Sequence, residues 1–155
     1  MQPIKENQEL NLTNVISIRK KLYQEDLNDE IKKIGEIVKE EKLNLKSGLI
    51  TATYSMQLKE GKQFLDVEIL LSVDREVKLP NEYTLKKEFV LKNAIYKKHI
   101  GDPNGLGKSA EEMINYINQN NYQSITSLYC VQPMQVTDVN NPEIECYIGV
   151  NPNKL

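Results

Sequence analysis

The stretch EIECYIGV, residues 143–150, decides how this chain is read. Alternation along a strand puts Ile144, Cys146, Ile148 and Val150 on one face and Glu143, Glu145 and Tyr147 on the other. The apolar set is enough to anchor the strand, so the acid and the tyrosine opposite it call for a separate account. A second stretch, DVEILLSV at 66–73, aligns with the first, setting Glu68 against Glu145 and Val73 against Val150. Both read acid, apolar, Glu, apolar, any residue, apolar, small, Val.

Outward from these two stretches, the order of elements also repeats. TNVISIRKKLY at 13–23 reads as a strand around Val15, Ile16 and Ile18. Asp26 is the expected N-cap of a helix over 27–44, where Leu27, Ile31, Ile34 and Val38 draw one apolar stripe. Asp29 and Glu30 in its first turn and Lys39 and Lys42 in its last complement the helix dipole. LITATYSMQL at 49–58, a KEGK turn at 59–62 and FLDVEILLSVD at 64–74 give a hairpin. Residues 75–87, with Pro80, read as a connector.

The second pass begins with EFVLKNAIYKKHIG at 88–101 and the loop DPNGLGK at 102–108. Ser109 and Glu112 fit a capping box opening a helix over 110–120, with Ala110, Met113, Ile114 and Ile117 as its apolar side. Asn120 and Asn121 suit a left-handed C-terminal turn. SITSLYCVQPM at 124–134 and PEIECYIGV at 142–150 complete a last hairpin, joined through TDVNN at 137–141.

The fold expected is α+β: duplicated β-α-β-β units forming one antiparallel sheet, both helices on one face and a cleft on the other. The helical stripes should land on Val67, Ile69, Leu71, Ile144, Cys146 and Ile148. Glu68, Leu70, Glu145 and Tyr147 then occupy the face without helices. Expected boundaries are a tail at 1–11, repeat one at 12–74, the connector, repeat two at 88–151 and a tail at 152–155.

A chain of 155 residues fits one domain with a real core. Twenty basic and 22 acidic residues argue against a binder that tracks nucleic-acid phosphates, which carries a basic excess. No apolar run is long enough to span a bilayer and MQPIKENQELN has no signal-peptide core, so no membrane role and a cytoplasmic location are expected. Cys130 and Cys146 stand singly on two strands with one histidine in the chain, too few ligands for zinc. Two reduced thiols packed as small hydrophobes are expected, with a disulfide as the alternative. No metal and no cofactor are implied.

GDPNGLGKS at 101–109 nearly spells a phosphate-binding loop, but five residues rather than four separate Gly101 from Gly107, and Asp102 would repel phosphate. His99 needs an oriented nucleophile to act as a base, and SITS at 124–127 supplies none by its spacing, so a structural or exposed histidine is expected.

The chemistry therefore centres on Glu145. A carboxylate on a half-buried sheet face is costly unless paired. A ligand cation is one partner, with Tyr147 and Tyr129 adding cation–π attraction; Lys97, another cross-strand lysine or water is the other. Tyr96 joins the tyrosines by alternation, and Glu68 enters by repeat symmetry.

With AIYKKHIGDPNGLGKSAEEMINYINQNNYQ at 94–123 ahead of EIECYIGV, the chain resembles the GyrI-like effector-binding domain found behind the DNA-binding part of multidrug-responsive bacterial activators, and also standing alone. His99–Gly101 matches that family's His-x-Gly strand end, QNNY at 119–122 its helix-ending turn, and Glu145 to Val150 its late strand. The resemblance implies a GyrI-like, SOUL-like fold and a cleft in which Glu145 meets cationic organic ligands. Gly149 departs from the family's proline, and the chain has no tryptophan and only Phe64 and Phe89 as phenylalanines, leaving tyrosines as cleft walls. No helix-turn-helix is read in this chain, so a complete activator is not expected. More narrowly, the chain is similar to stand-alone proteins of low-GC Gram-positive bacteria, some encoded beside LXG toxins of type VII secretion.

These readings give a non-catalytic domain that binds a small cationic or amphipathic molecule through Glu145, Tyr147, Tyr129, Tyr96 and Glu68. The alternatives are an accessory or chaperone-type partner of a secreted toxin or regulator, and a small-molecule hydrolase in which Glu145 orients water beside Tyr147 or Tyr129.

Overall fold

The computed structural model describes residues 3–134 and 142–153, and within them one order of elements occurs twice. Strand β1 (Ile4–Tyr23), helix α1 (Leu27–Glu40), β2 (Ile50–Lys59) and β3 (Lys62–Ser72) are followed by β4 (Thr84–Ile100), α2 (Leu106–Gln119), β5 (Ser124–Val131) and β6 (Glu143–Val150). This is the α+β pattern of duplicated β-α-β-β units. The two helices are equal in length and offset by 79 residues (27 to 106, 40 to 119), as are the 3-10 turns ahead of them, Gln24–Asp26 and Pro103–Gly105. The same offset relates Asn14 and Asn93, both left-handed with φ of 51° and 55°, a conformation that asparagine tolerates better than most side chains.

The chain divides into two compact units, one of Leu12–Phe89 and one of Met1–Asn11 with Val90–Leu155. In the first, β3 runs antiparallel between β1 and β2, with Glu68 opposite Arg19 and Ala52. Ile34 of α1 is buried against Ile16, Ile18, Ile69 and Leu71, with Ile31 and Val38 at the margin. Leu27 packs on Leu22, Leu65 and Val67. In the second, β6 runs antiparallel between β4 and β5, and Met113 and Ile117 of α2 bury Ile95, Ile144, Cys146 and Ile148. The stripes land on the expected strand residues, except that Ile114, expected on the apolar side of α2, is 50% exposed while Met113 and Ile117 are buried; apolar burial at roughly 25 cal/mol per Å² is the driving term in each unit.

Both helices end in the same hydrogen-bonded turn. Leu43 N–H donates to the Val38 carbonyl at 2.9 Å with Lys42 left-handed, and Tyr122 N–H donates to Ile117 at 3.0 Å with Asn121 left-handed. The turn at Asn120–Asn121 is the expected one. That at Lys42 stops α1 at Glu40, four residues short of the stretch read as helical, because Leu43 is drawn into the core.

Four further expectations are corrected. Residues 4–11 are strand rather than tail: Ile4 packs on the second unit's core and Glu6 accepts the hydroxyls of Tyr116 and Tyr122. Residues 84–87 of the connector already belong to β4. The capping box does not form, since α2 starts at Leu106 and the Ser109 hydroxyl turns to His99 and Lys97 instead. Asp26 stands at the start of α1 without a side-chain capping bond. The expected TDVNN loop lies outside the described residues. Among the described residues, no helix is long and apolar enough to cross a membrane.

Candidate functional site

The register of β4, β6 and β5 sets three tyrosines in one row: Tyr96 opposite Tyr147, and Tyr147 opposite Tyr129. Two residues along β6, on the same face, Glu145 stands between Lys98 and Val131. Cys146, Ile144 and Ile148 point the other way, into the core beneath α2, so this face is the one without a helix. Tyr129 and Tyr147 are each 8% exposed, and Glu145 is half-buried. The rings of Tyr96 and Tyr147 meet edge to face at 5.1 Å, an arrangement that contributes about 0.5–1.5 kcal/mol beyond burial. The Tyr147 hydroxyl donates to Glu145 at 3.0 Å. The Lys5 ammonium lies 5.7 Å from the Tyr96 ring, so the row already attracts one cation.

The electrostatics follow from this packing. Burial, then the charge of Glu145, pushes the Tyr96 phenol up to about 12. Burial and the same carboxylate, which also accepts its hydrogen bond, raise Tyr147 above the ordinary tyrosine value. Both phenols stay neutral donors at physiological pH.

Lys97, proposed as a structural partner for Glu145, is on the opposite face and bonds Glu112 and Ser109 of α2. Lys98, directly across from Glu145, pairs with Glu143 at 3.5 Å. Among the described residues, no lysine or arginine forms an ion pair with Glu145.

Glu68, at the matching place in the first unit, has a different environment. Its carboxylate is 5% exposed and accepts Ser17 Oγ at 2.7 Å, Tyr54 OH at 2.8 Å and Lys86 Nζ at 2.6 Å. Burial alone would raise its pKa; the bonds from Lys86, Ser17 and Tyr54 outweigh that and hold it below the ordinary carboxylate value. Arg19, 3.8 Å from the Tyr54 ring centre and bidentate to Asp66, braces the same surface. Ser17, Tyr54 and Lys86 were not legible as partners of Glu68, because each comes from a different strand and no spacing links them.

Gly149, the departure from proline, is explained by packing. A Cβ there would lie 2.9 Å from both Leu91 Cδ1 and Thr126 Cγ2, and its N–H donates to Thr126 Oγ1 at 2.9 Å. Proline could not make that bond.

On the helix side of the second unit, His99 is buried and bonded at both nitrogens. Nε2 meets the Asp102 carbonyl at 2.8 Å and therefore carries the hydrogen, so Ser109 O–H donates to Nδ1 at 2.8 Å. With Lys97, Lys108 and Glu112 these groups line an open cavity of about 480 Å³. Sequence spacing missed the His99–Ser109 contact, which the helix start at Leu106 creates. Among the described residues, no group of three or more His, Cys, Asp or Glu could hold a metal.

The EcmrR C-terminal domain matches this arrangement with a TM-score of 0.76 at 18% identity, covering 97% of each chain. In the cryo-EM structure of an EcmrR–DNA complex the TM-score is 0.73 at 20% identity; 97% of this chain is matched, and it spans 57% of that longer chain. A hydrolase from Listeria innocua is similar with a TM-score of 0.63 at 11% identity, over 97% of this chain and 91% of its own. No family model and no curated protein matches the sequence. At these identities the likeness is one of fold, and the chain has the α+β fold of the EcmrR C-terminal domain.

Proposed function

We propose that the face carrying Glu145, Tyr147, Tyr129 and Tyr96 binds a small organic cation or cationic amphiphile, without chemical turnover. The supporting observation is the half-buried Glu145 carboxylate beside a row of three cross-strand tyrosines, with no cationic side chain paired to it among the described residues. A ligand cation in contact with Glu145 would offset the desolvation of that carboxylate, and each suitably placed tyrosine ring would add about 0.5–2 kcal/mol. Tyr147 holds Glu145 in place through its hydroxyl and leaves further lone pairs to accept. Glu68, already held by three donors, is assigned a structural role. A fold shared with the C-terminal domain of a protein solved on DNA supports a sensing role.

A thermal-shift screen with aromatic quaternary ammonium and phosphonium cations, each beside a neutral isostere, tests this. Cations should raise the melting temperature and their isosteres should not. Stabilisation by both alike would remove the charge contact. Turnover of activated esters that is lost in Glu145→Gln would favour the hydrolytic alternative on the same face.

A further inference from the structure

Cys130 and Cys146 stand directly opposite each other on β5 and β6, side by side with the Tyr129–Tyr147 pair and on the face that meets α2. Directly opposed antiparallel residues have Cα atoms roughly 4.5–5.5 Å apart, inside the roughly 4.4–6.8 Å range that a disulfide spans. The two residues differ in access: Cys130 is half-buried and Cys146 is 0% exposed. Lys97 extends the same row on the other flank, opposite Cys146 on β4, and is itself buried.

We propose that this pair is a thiol–disulfide site, which low-molecular-weight disulfides oxidise to a cross-strand disulfide in the folded protein. Cys130, the more exposed residue of the two, attacks the small disulfide as its thiolate and displaces one small thiol, leaving a mixed disulfide. The Cys146 thiolate then attacks the Cys130 sulfur and displaces the second small thiol. Two protein thiols and one small disulfide thus become one protein disulfide and two small thiols. The buried Lys97 ammonium beside Cys146 favours the thiolate that resolves the mixed disulfide, while the bond to Cys146 and burial push the Cys130 thiol up and make the first attack the slow step. The product joins β5 to β6 one residue from Tyr129 and Tyr147. None of this depends on the ligand proposed for the opposite face.

The test is mass spectrometry of the reduced, folded chain after incubation with oxidised glutathione. The expected product is lighter by two hydrogens, retains no glutathione and yields a proteolytic fragment joining Cys130 to Cys146. Cys146→Ala should retain one glutathione on Cys130, and Cys130→Ala should leave Cys146 unmodified until the protein is unfolded. Wild-type protein that retains glutathione, or that keeps both thiols free, overturns the proposal. The wild-type fragment map decides the question even if a variant fails to fold.

Discussion

Glu68 and Glu145 occupy the same place in two copies of one β-α-β-β pattern, yet Glu68 is held by Lys86 at 2.6 Å while Glu145 accepts the Tyr147 hydroxyl at 3.0 Å and forms no ion pair among the described residues. One repeat uses the position to hold its own strands together. The other leaves it beside three tyrosines. The contrast separates a carboxylate held by its own strands from one that, on the proposed reading, meets a ligand, and each has its own measurable consequence.

Removing Glu68 should cost stability without touching the tyrosine row. Glu68→Ala strands a partly buried Lys86 and two hydroxyls, and we expect a loss of roughly 2–3 kcal/mol in urea denaturation. A loss below about 1 kcal/mol would show that water freely takes the place of the carboxylate as acceptor for these donors.

Acid should act through the same group. Burial raises the pKa of Glu68 and of Glu30, but the bonds to Lys86, Ser17 and Tyr54 in one case and to Lys20 and Lys33 in the other bring both below the unfolded value. A depressed carboxylate contributes stability that is complete above the unfolded value, about 4.3, and is lost as pH falls through the lower folded value. Stability from these two groups should therefore be level between pH 7 and 5 and fall below about pH 4. Denaturation midpoints of Glu68→Gln across that range should fall less steeply than those of wild type.

Gly149 should tolerate no side chain. Alanine there meets Leu91 and Thr126 at 2.9 Å, and overpacking of this kind costs about 1–3 kcal/mol. Proline additionally removes the bond to Thr126 from β6, which has strands on both sides, and should be worse. Thermal melts of Gly149→Ala and Gly149→Pro check the order.

Alkaline titration should show the tyrosine row within a late phase shared with Tyr116, which its bond to Glu6 raises to about 12. With Tyr96 at about 12 and Tyr147 also raised, the phenolate absorbance of these two should still be missing at pH 11. The charge of Glu145 contributes to both shifts, so Glu145→Gln should move their part of this late phase to lower pH. Ionisation unchanged in the variant would place the carboxylate too far away to matter.

Much of this was readable from residue order alone. The period of two at 66–73 and 143–150 and the stripes of the two helices marked most of the side chains that enter each core, because alternation and helical spacing are local properties; Ile114, read as buried, is exposed. The face shared by Tyr96, Tyr129, Tyr147 and Glu145 followed from the same alternation. What could not be read was long-range or masked by composition. Residues 4–11 are polar enough to pass for a tail, and their strand is visible only through the packing of Ile4 and the bonds to Glu6. Lys86 reaches Glu68, and Ser109 reaches His99, across separations that no motif encodes. Lys97 seemed a partner for Glu145, but β4 pairs it with Cys146 and thereby turns it to the helix.

The central claim is that the Glu145 carboxylate recognises positive charge on a ligand lying against the tyrosine row. Isothermal titration of the best stabilising cation into wild-type protein and Glu145→Gln tests it most directly. We expect affinity to fall at least about tenfold, or about 1.4 kcal/mol, with the melting temperature of the free protein unchanged. Equal affinity for the two proteins, or equal binding of the neutral isostere to wild type, would contradict it.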